Sequence, residues 1–170
     1  MTHPTMEDAF AHHVWASLRL IDACLPLTAE QLETPVAGTY GSILETARHL
    51  VDADAWYLFC MTGGKVPEIE EDRVMDLSEL RSEMASHDSA WSDLLATKPD
   101  PDAVLTVTHD DGSKTQATMG IRLAQAVHHG TDHRSHICTV LTTLGVEPPA
   151  IDVWDFGAQN GRVVEMSPAT

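Results

Sequence analysis

Residues 126–137 read AVHHGTDHRSHI. They place four histidines within nine positions, His128 to His136, in what the apolar period marks as one continuous helix. That helix is predicted to begin near Met119 and end at Leu144, with Gly145 as its stop and Pro148-Pro149 beyond. Its apolar stripe runs through Leu123, Ala126, Ile137, Val140 and Leu144, and His129 and His133 fall inside it. At about 100° and 1.5 Å per residue the two rings stand about 40° apart and about 6 Å along the axis, so both reach one point beside the helix. An H-x-x-x-H pair of this kind is a chelating unit. Facing a core, it needs a metal, buried water or neighbouring hydrogen-bond partners.

The same wheel sorts the other histidines. His128 points away from the stripe, towards water. His136 sits on the stripe's edge, as a pocket wall, a donor to a ligand, or a further ligand. Two histidines need at least one more protein ligand, and His12, His13, His49, His87 and His109 are the candidates elsewhere. His49 shares a face with Glu45, Asp52, Ala53, Trp56 and Cys60, apart from the aliphatic stripe of Ile43, Ala47, Leu50, Val51 and Leu58. By periodicity alone it is equally an exposed residue.

Working outward, three more long helices emerge. The first covers about 6–25, with Thr5 and Asp8 as a capping box and Phe10, Val14, Leu18, Ile21 and Leu25 at helical spacing. A short turn, TAEQL, follows Pro26. The second covers about 42–62, opened by a Ser42–Glu45 capping box and stopped by Gly63-Gly64. The third covers about 78–98, after an acidic loop at 66–76 that reads as solvated, and halts at Pro99. Between the third and last helices, VLTVTHDDGSKTQATM (104–119) breaks the helical period. Its alternation around Asp111-Gly112 reads as a small β-hairpin or extended loop. The tail, 146–170, reads as irregular and packs back through Trp154 and Phe156. Four helices of about 20 residues most economically form a four-helix bundle, all-α, in one domain spanning 1–170.

Composition bounds the function. The net charge is −16, from 26 acidic against 10 basic residues, with no Lys/Arg cluster, which disfavours nucleic acid and anionic membrane surfaces. No apolar run approaches a membrane span and no secretory signal is visible, so the expected compartment is the cytoplasm. Cys24, Cys60 and Cys138 lack metal or redox spacing and read as reduced core thiols. Serine-hydrolase, P-loop and dinucleotide motifs are missing.

Residues 38–64 (GTYGSILETARHLVDADAWYLFCMTGG), 121–145 (IRLAQAVHHGTDHRSHICTVLTTLG) and the opening helix 12–32 together resemble the DinB/YfiT-like family of metalloenzymes. The resemblance implies an up-down-down-up bundle holding a divalent metal through one histidine of helix two and two of the last helix, here His49, His129 and His133. This chain has His133-Arg134-Ser135-His136 where many members read H-R-G-Q, so its chemistry beside the metal differs. Three neutral histidines leave coordination positions free, the pattern of a catalytic site, but accept zinc, nickel or iron alike. Glu45, Asp52 and His136 are the candidate catalytic groups.

Characterised relatives include S-transferases that use low-molecular-weight thiols such as bacillithiol or mycothiol, and a mycothiol-dependent isomerase. The leading expectation is therefore a metal-dependent S-transferase with a thiol cosubstrate and a small-molecule substrate, working as a homodimer. A metal-dependent hydrolase, or a non-catalytic stress protein that binds metal or a small molecule, stands as the alternative.

Overall fold

The computed structural model describes residues 4–70, 73–109 and 111–166. Four long helices are α1 (Pro4–Cys24), α3 (Ile43–Thr62), α4 (Leu77–Ala96) and α5 (Met119–Thr143). Two short ones are α2 (Ala29–Glu33) and α6 (Val153–Gln159), and strands β1 (Val104–Thr108) and β2 (Lys114–Thr118) form an antiparallel hairpin ahead of α5.

Local chemistry sets most boundaries. Ser42 and Glu45 form the expected capping box, and Gly63, at φ 65°, closes α3 in the left-handed conformation. Asp76 caps α4 by accepting from the Ser78 and Glu79 amides. That helix ends at Ala96, before Lys98 takes a φ of 52° ahead of Pro99. At the start of α1 the described helix already includes Pro4, which puts Thr5 inside it. The Thr5 side chain lies outside the described residues, and Asp8 accepts instead from Arg162 Nη2 at 2.7 Å.

Side-chain contacts fix the direction of each helix. Asp22 meets Arg81 and Phe10 meets Trp91, so α1 and α4 are antiparallel. Arg48 reaches the Met75 carbonyl just before α4 and Asp54 reaches Trp91, so α3 and α4 are parallel. His49 meets His133 and Tyr57 meets Gln125, so α3 and α5 are antiparallel. Ala9 and Leu123 line one cavity and His13 meets Arg134, so α1 and α5 are parallel. The order is up-down-down-up.

The core has two apolar tiers. One holds Leu20, Ile21, Ile43, Ala47, Val51, Leu80, Met84, Ile137 and Leu141; the other holds Phe10, Val14, Leu58, Trp91, Leu94, Leu123 and Ala126. Each large side chain removed from water contributes about 1.5–3 kcal/mol. Between the tiers lies a buried polar layer of His13, Ser17, Asp54, His87 and Arg134.

Four local expectations need correction. TAEQL forms the start of the helix α2, opened by a Thr28–Gln31 capping box. The tail is not wholly irregular: Asp152 caps α6, and Phe156 packs on His12 and Trp15, while Trp154 stays 73% exposed. On α1, Leu25 is exposed, and the buried line continues through Leu20 and Cys24. The acidic loop is solvated in part, with Met75 buried in the first tier and Ile69 packed against it. The three cysteines are free thiols, of which Cys24 is buried and has a pKa pushed up to about 12 by burial.

Candidate metal centre

The site sits on the α3–α5 face, level with the polar layer. The Ser42 cap starts α3 so that His49 comes up nearly two turns later, turned towards α5. On α5 the helical period presents His129 and His133 to the same point, as their spacing requires. His133 is buried, and His49 and His129 are half-buried.

The Nε2 atoms of His49 and His129 lie 3.1 Å apart. Ring centroids are separated by 4.7 Å between His49 and His133 and by 4.3 Å between His129 and His133. Each of the three offers a nitrogen, and these nitrogens all fall within 4.8 Å of one another. Two nitrogens each about 2.0–2.1 Å from one ion, at angles of about 90–109°, stand about 2.8–3.4 Å apart, so the 3.1 Å edge already has the spacing of two ligands sharing an ion. Among the described residues, His133 Nδ1 is buried and has no hydrogen-bond partner.

Electrostatics favours the ligating form. Burial, followed by His129, His49 and His136 nearby, lowers the His133 pKa to about 4. Burial also lowers His49, against an opposing effect of Asp52, and lowers His129 with help from His49. All three are neutral at pH 7, the state a metal requires. The donor set, crowding and neutrality fit a divalent first-row ion.

Around the triad, Tyr40 stacks on His49 at 4.3 Å and 14° and meets the His133 ring edge-on at 4.9 Å. Tyr57 packs edge-on against His129 at 5.6 Å. A cleft of about 490 Å³ opens here, lined by Tyr40, Glu45, Arg48, His49 and Asp52. A larger, mainly apolar cavity of about 660 Å³ lies at the second tier, among Met6, Leu95, Leu123 and Val127, and contains none of the triad.

The candidate catalytic groups separate in this setting. Glu45 is exposed and spends Oε2 on the Ser42 amide at 2.8 Å, a bond that holds its carboxyl below the usual range. Asp52 lines the cleft, and partial burial raises its pKa. His136 stands edge-on to His133 at 5.6 Å, outside the group of three. Among the described residues, the other histidines lie apart from the group. His12 Nε2 donates to the Ile151 carbonyl, His13 and His87 meet Asp54, His109 meets Thr115 Oγ1, and His128 is exposed.

A DinB family model matches residues 1–162. The chain belongs to the DinB family. No curated protein is a significant match to it.

Two features of this DinB-family site escape the sequence reading. Tyr40 precedes the α3 cap in a loop, where no period announces which way it points. Asp54 does carry a signal, an acid on the stripe of Leu50, Val51 and Leu58, as do His13 beside Phe10 and Val14, and Arg134 ahead of Ile137. Charged and polar groups set in apolar stripes mark the buried layer.

Proposed function

We propose that this DinB-family protein is a divalent-metal-dependent enzyme of small molecules, with His49, His129 and His133 as ligands and thiol S-transfer as its reaction. The observation that carries the reading is the convergence of three neutral imidazoles, one of which, His49, lines an open cleft. A divalent ion bound there supplies Lewis acidity that lowers the pKa of a thiol presented to it.

The chain's own groups supply the rest. The imidazoles bind through neutral nitrogens and leave positions free for substrate. Tyr40 covers the outer face of His49 and keeps water from that side. Arg48, anchored through Nε on the Met75 carbonyl at 2.8 Å, brings a cation to the cleft for an anionic part of the substrate. Asp52 is the cleft carboxylate free of a helix cap and the one suited to hold a proton. That last observation favours a second reading, hydrolysis, with Asp52 as base. The acidic surface suits small substrates better than nucleic acid, and we assign the protein to the cytoplasm as a homodimer.

Elemental analysis of protein purified without chelators or added metal tests the site. The expected result is near-stoichiometric zinc, nickel or iron, lost when His129 and His133 are both replaced by alanine. A wild-type chain without metal, even after reconstitution with each ion, overturns the reading. Conjugation of a generic electrophile with bacillithiol or mycothiol then separates the reactions: turnover without any thiol points to hydrolysis. Light scattering at the mass of one chain overturns the homodimer.

A further inference from the structure

Beyond the triad, the most developed polar arrangement in the molecule is the buried layer. Asp54, 2% exposed on α3, accepts from His13 Nε2 on α1 at 2.9 Å, and from His87 Nδ1 and Trp91 Nε1 on α4 at 2.8 and 3.0 Å. On its other side, His13 Nδ1 lies 3.0 Å from Arg134 Nη1 on α5. A guanidinium only donates, so Nδ1 must accept, and His13 is fixed as the neutral tautomer that carries its proton on Nε2. Arg134 also donates to the His13 carbonyl, Ser17 Oγ and Thr131 Oγ1.

The result is a buried carboxylate and a buried guanidinium joined through one oriented imidazole. The chain of contacts runs from α3, which carries His49, to the turn of α5 that carries His129 and His133. Gly130, between those two histidines, makes the approach feasible. A Cβ there would fall 2.3 Å from His13 Cε1 and 2.5 Å from His13 Nδ1.

We propose that Asp54, His13 and Arg134 are positioning residues that set the rotation and height of α5 against α3, and so the spacing of the three histidine nitrogens. This rests on the metal-site reading above. Bonds of fixed direction do this where apolar packing would not. Apolar faces tolerate repacking at modest cost, whereas Arg134 reaches the acceptor nitrogen of His13 from one register of α5. None of the three is among the converging histidines: Asp54 and Arg134 lie on the helices that carry them, and His13 on α1 links the two.

The experiment titrates metal-free protein with cobalt(II), reading the affinity and the visible absorption band, with thermal unfolding of the metal-free protein in parallel. His13→Leu removes both bonds at similar size. His13→Gln keeps an amide N–H for Asp54 and an oxygen for Arg134. The expected result is folded His13→Leu protein with affinity lowered about tenfold and an altered band, and recovery of both in His13→Gln. A folded His13→Leu protein with wild-type affinity and band overturns the inference, because a purely structural role moves the melting temperature alone. If His13→Leu does not fold, Arg134→Lys keeps the charge while losing the planar fork, and unchanged affinity and band there overturn it equally. A wild-type chain that takes up no cobalt overturns the metal reading itself, an outcome distinct from equal binding by wild type and variants.

Discussion

Replacing Asp54 by asparagine changes one atom's chemistry in the centre of the bundle, and the layer around it has no means of adapting. The carboxylate accepts three bonds, one on Oδ1 and two on Oδ2. Asparagine turned to serve His87 and Trp91 aims its amide at the His13 Nε2 proton. His13 has no escape by switching tautomer, because its other nitrogen would then point a proton at Arg134. One buried donor therefore goes unmet, at about 1–3 kcal/mol. Arg134, 3% exposed, also loses its counter-charge. Burial already lowers its pKa to about 10 against the opposing pull of Asp54, and losing that charge one imidazole away costs less than the ~3–5 kcal/mol of a broken contact pair. The two losses share one network and do not add fully, so about 4 kcal/mol is the expected total. For a chain of this size each kcal/mol moves the midpoint by about 2–4 °C, and the variant should melt about 8–16 °C below wild type by far-UV circular dichroism in metal-free buffer. Acid should close the gap. Burial alone would raise the Asp54 pKa, but His13 and His87 hold it far below the usual carboxylate value. Its contribution is thus complete above about pH 4 and lost as pH falls through the lower folded value. A midpoint within about 2 °C of wild type at pH 7 would refute the reasoning, and leave Asp54 a group whose removal the core absorbs.

The triad predicts a second, separate pH window. His49, His129 and His133 have folded pKa values below the unfolded value of about 6.5, that of His133 at about 4, so the unfolded chain binds more protons in between. Metal-free protein should lose stability to urea as pH falls from about 6.5 towards 4, and a His49→Ala, His129→Ala variant should show a flatter slope; equal slopes would exclude the triad as the cause. Phe156→Ala, which removes a ring 8% exposed against His12 and Trp15, should cost about 3–5 kcal/mol, whereas Trp154→Ser, at 73% exposure, should stay within about 0.5 kcal/mol, both by urea unfolding. His136→Ala should keep the wild-type metal content by elemental analysis, since His136 lies outside the converging group, and loss of metal would make it a ligand.

What the sequence makes legible follows the range of the forces involved. The Ser42–Glu45 cap, the Gly63 stop and the His129–His133 pair are all written within a turn or two of helix, and the structure keeps each. His49 is different. A helical wheel says which face it occupies, but not that α5 lies opposite, and only the family resemblance supplies that partner. The two short helices hide for another reason: five and seven residues make fewer than two turns, too few for a period to show. Trp154 and Phe156 stand two positions apart, about 200° around α6, so one could pack only if the other did not. Asp54 shows in its stripe as an anomaly, yet the groups that satisfy it come from α1 and α4, and no local pattern pairs elements so distant in the chain.

The placement of the polar layer suggests what it is for. A layer of matched apolar side chains would hold four helices together at least as firmly as a buried ion pair, whose desolvation consumes much of its attraction. What the apolar version lacks is a preferred height. α5 has only about one and a half turns, from His129 to Arg134, in which to meet two demands. The positions facing α3 must bring two nitrogens to a point shared with His49, while those facing α1 must fit a glycine and a guanidinium against His13. Successive residues diverge by about 100°, so both demands are met by one rigid piece of backbone, and neither can be relaxed without moving the other. The buried carboxylate–imidazole–guanidinium chain thus acts as a stop that halts α5 at the height where its histidines converge, and the bundle's stability there is the smaller part of its work.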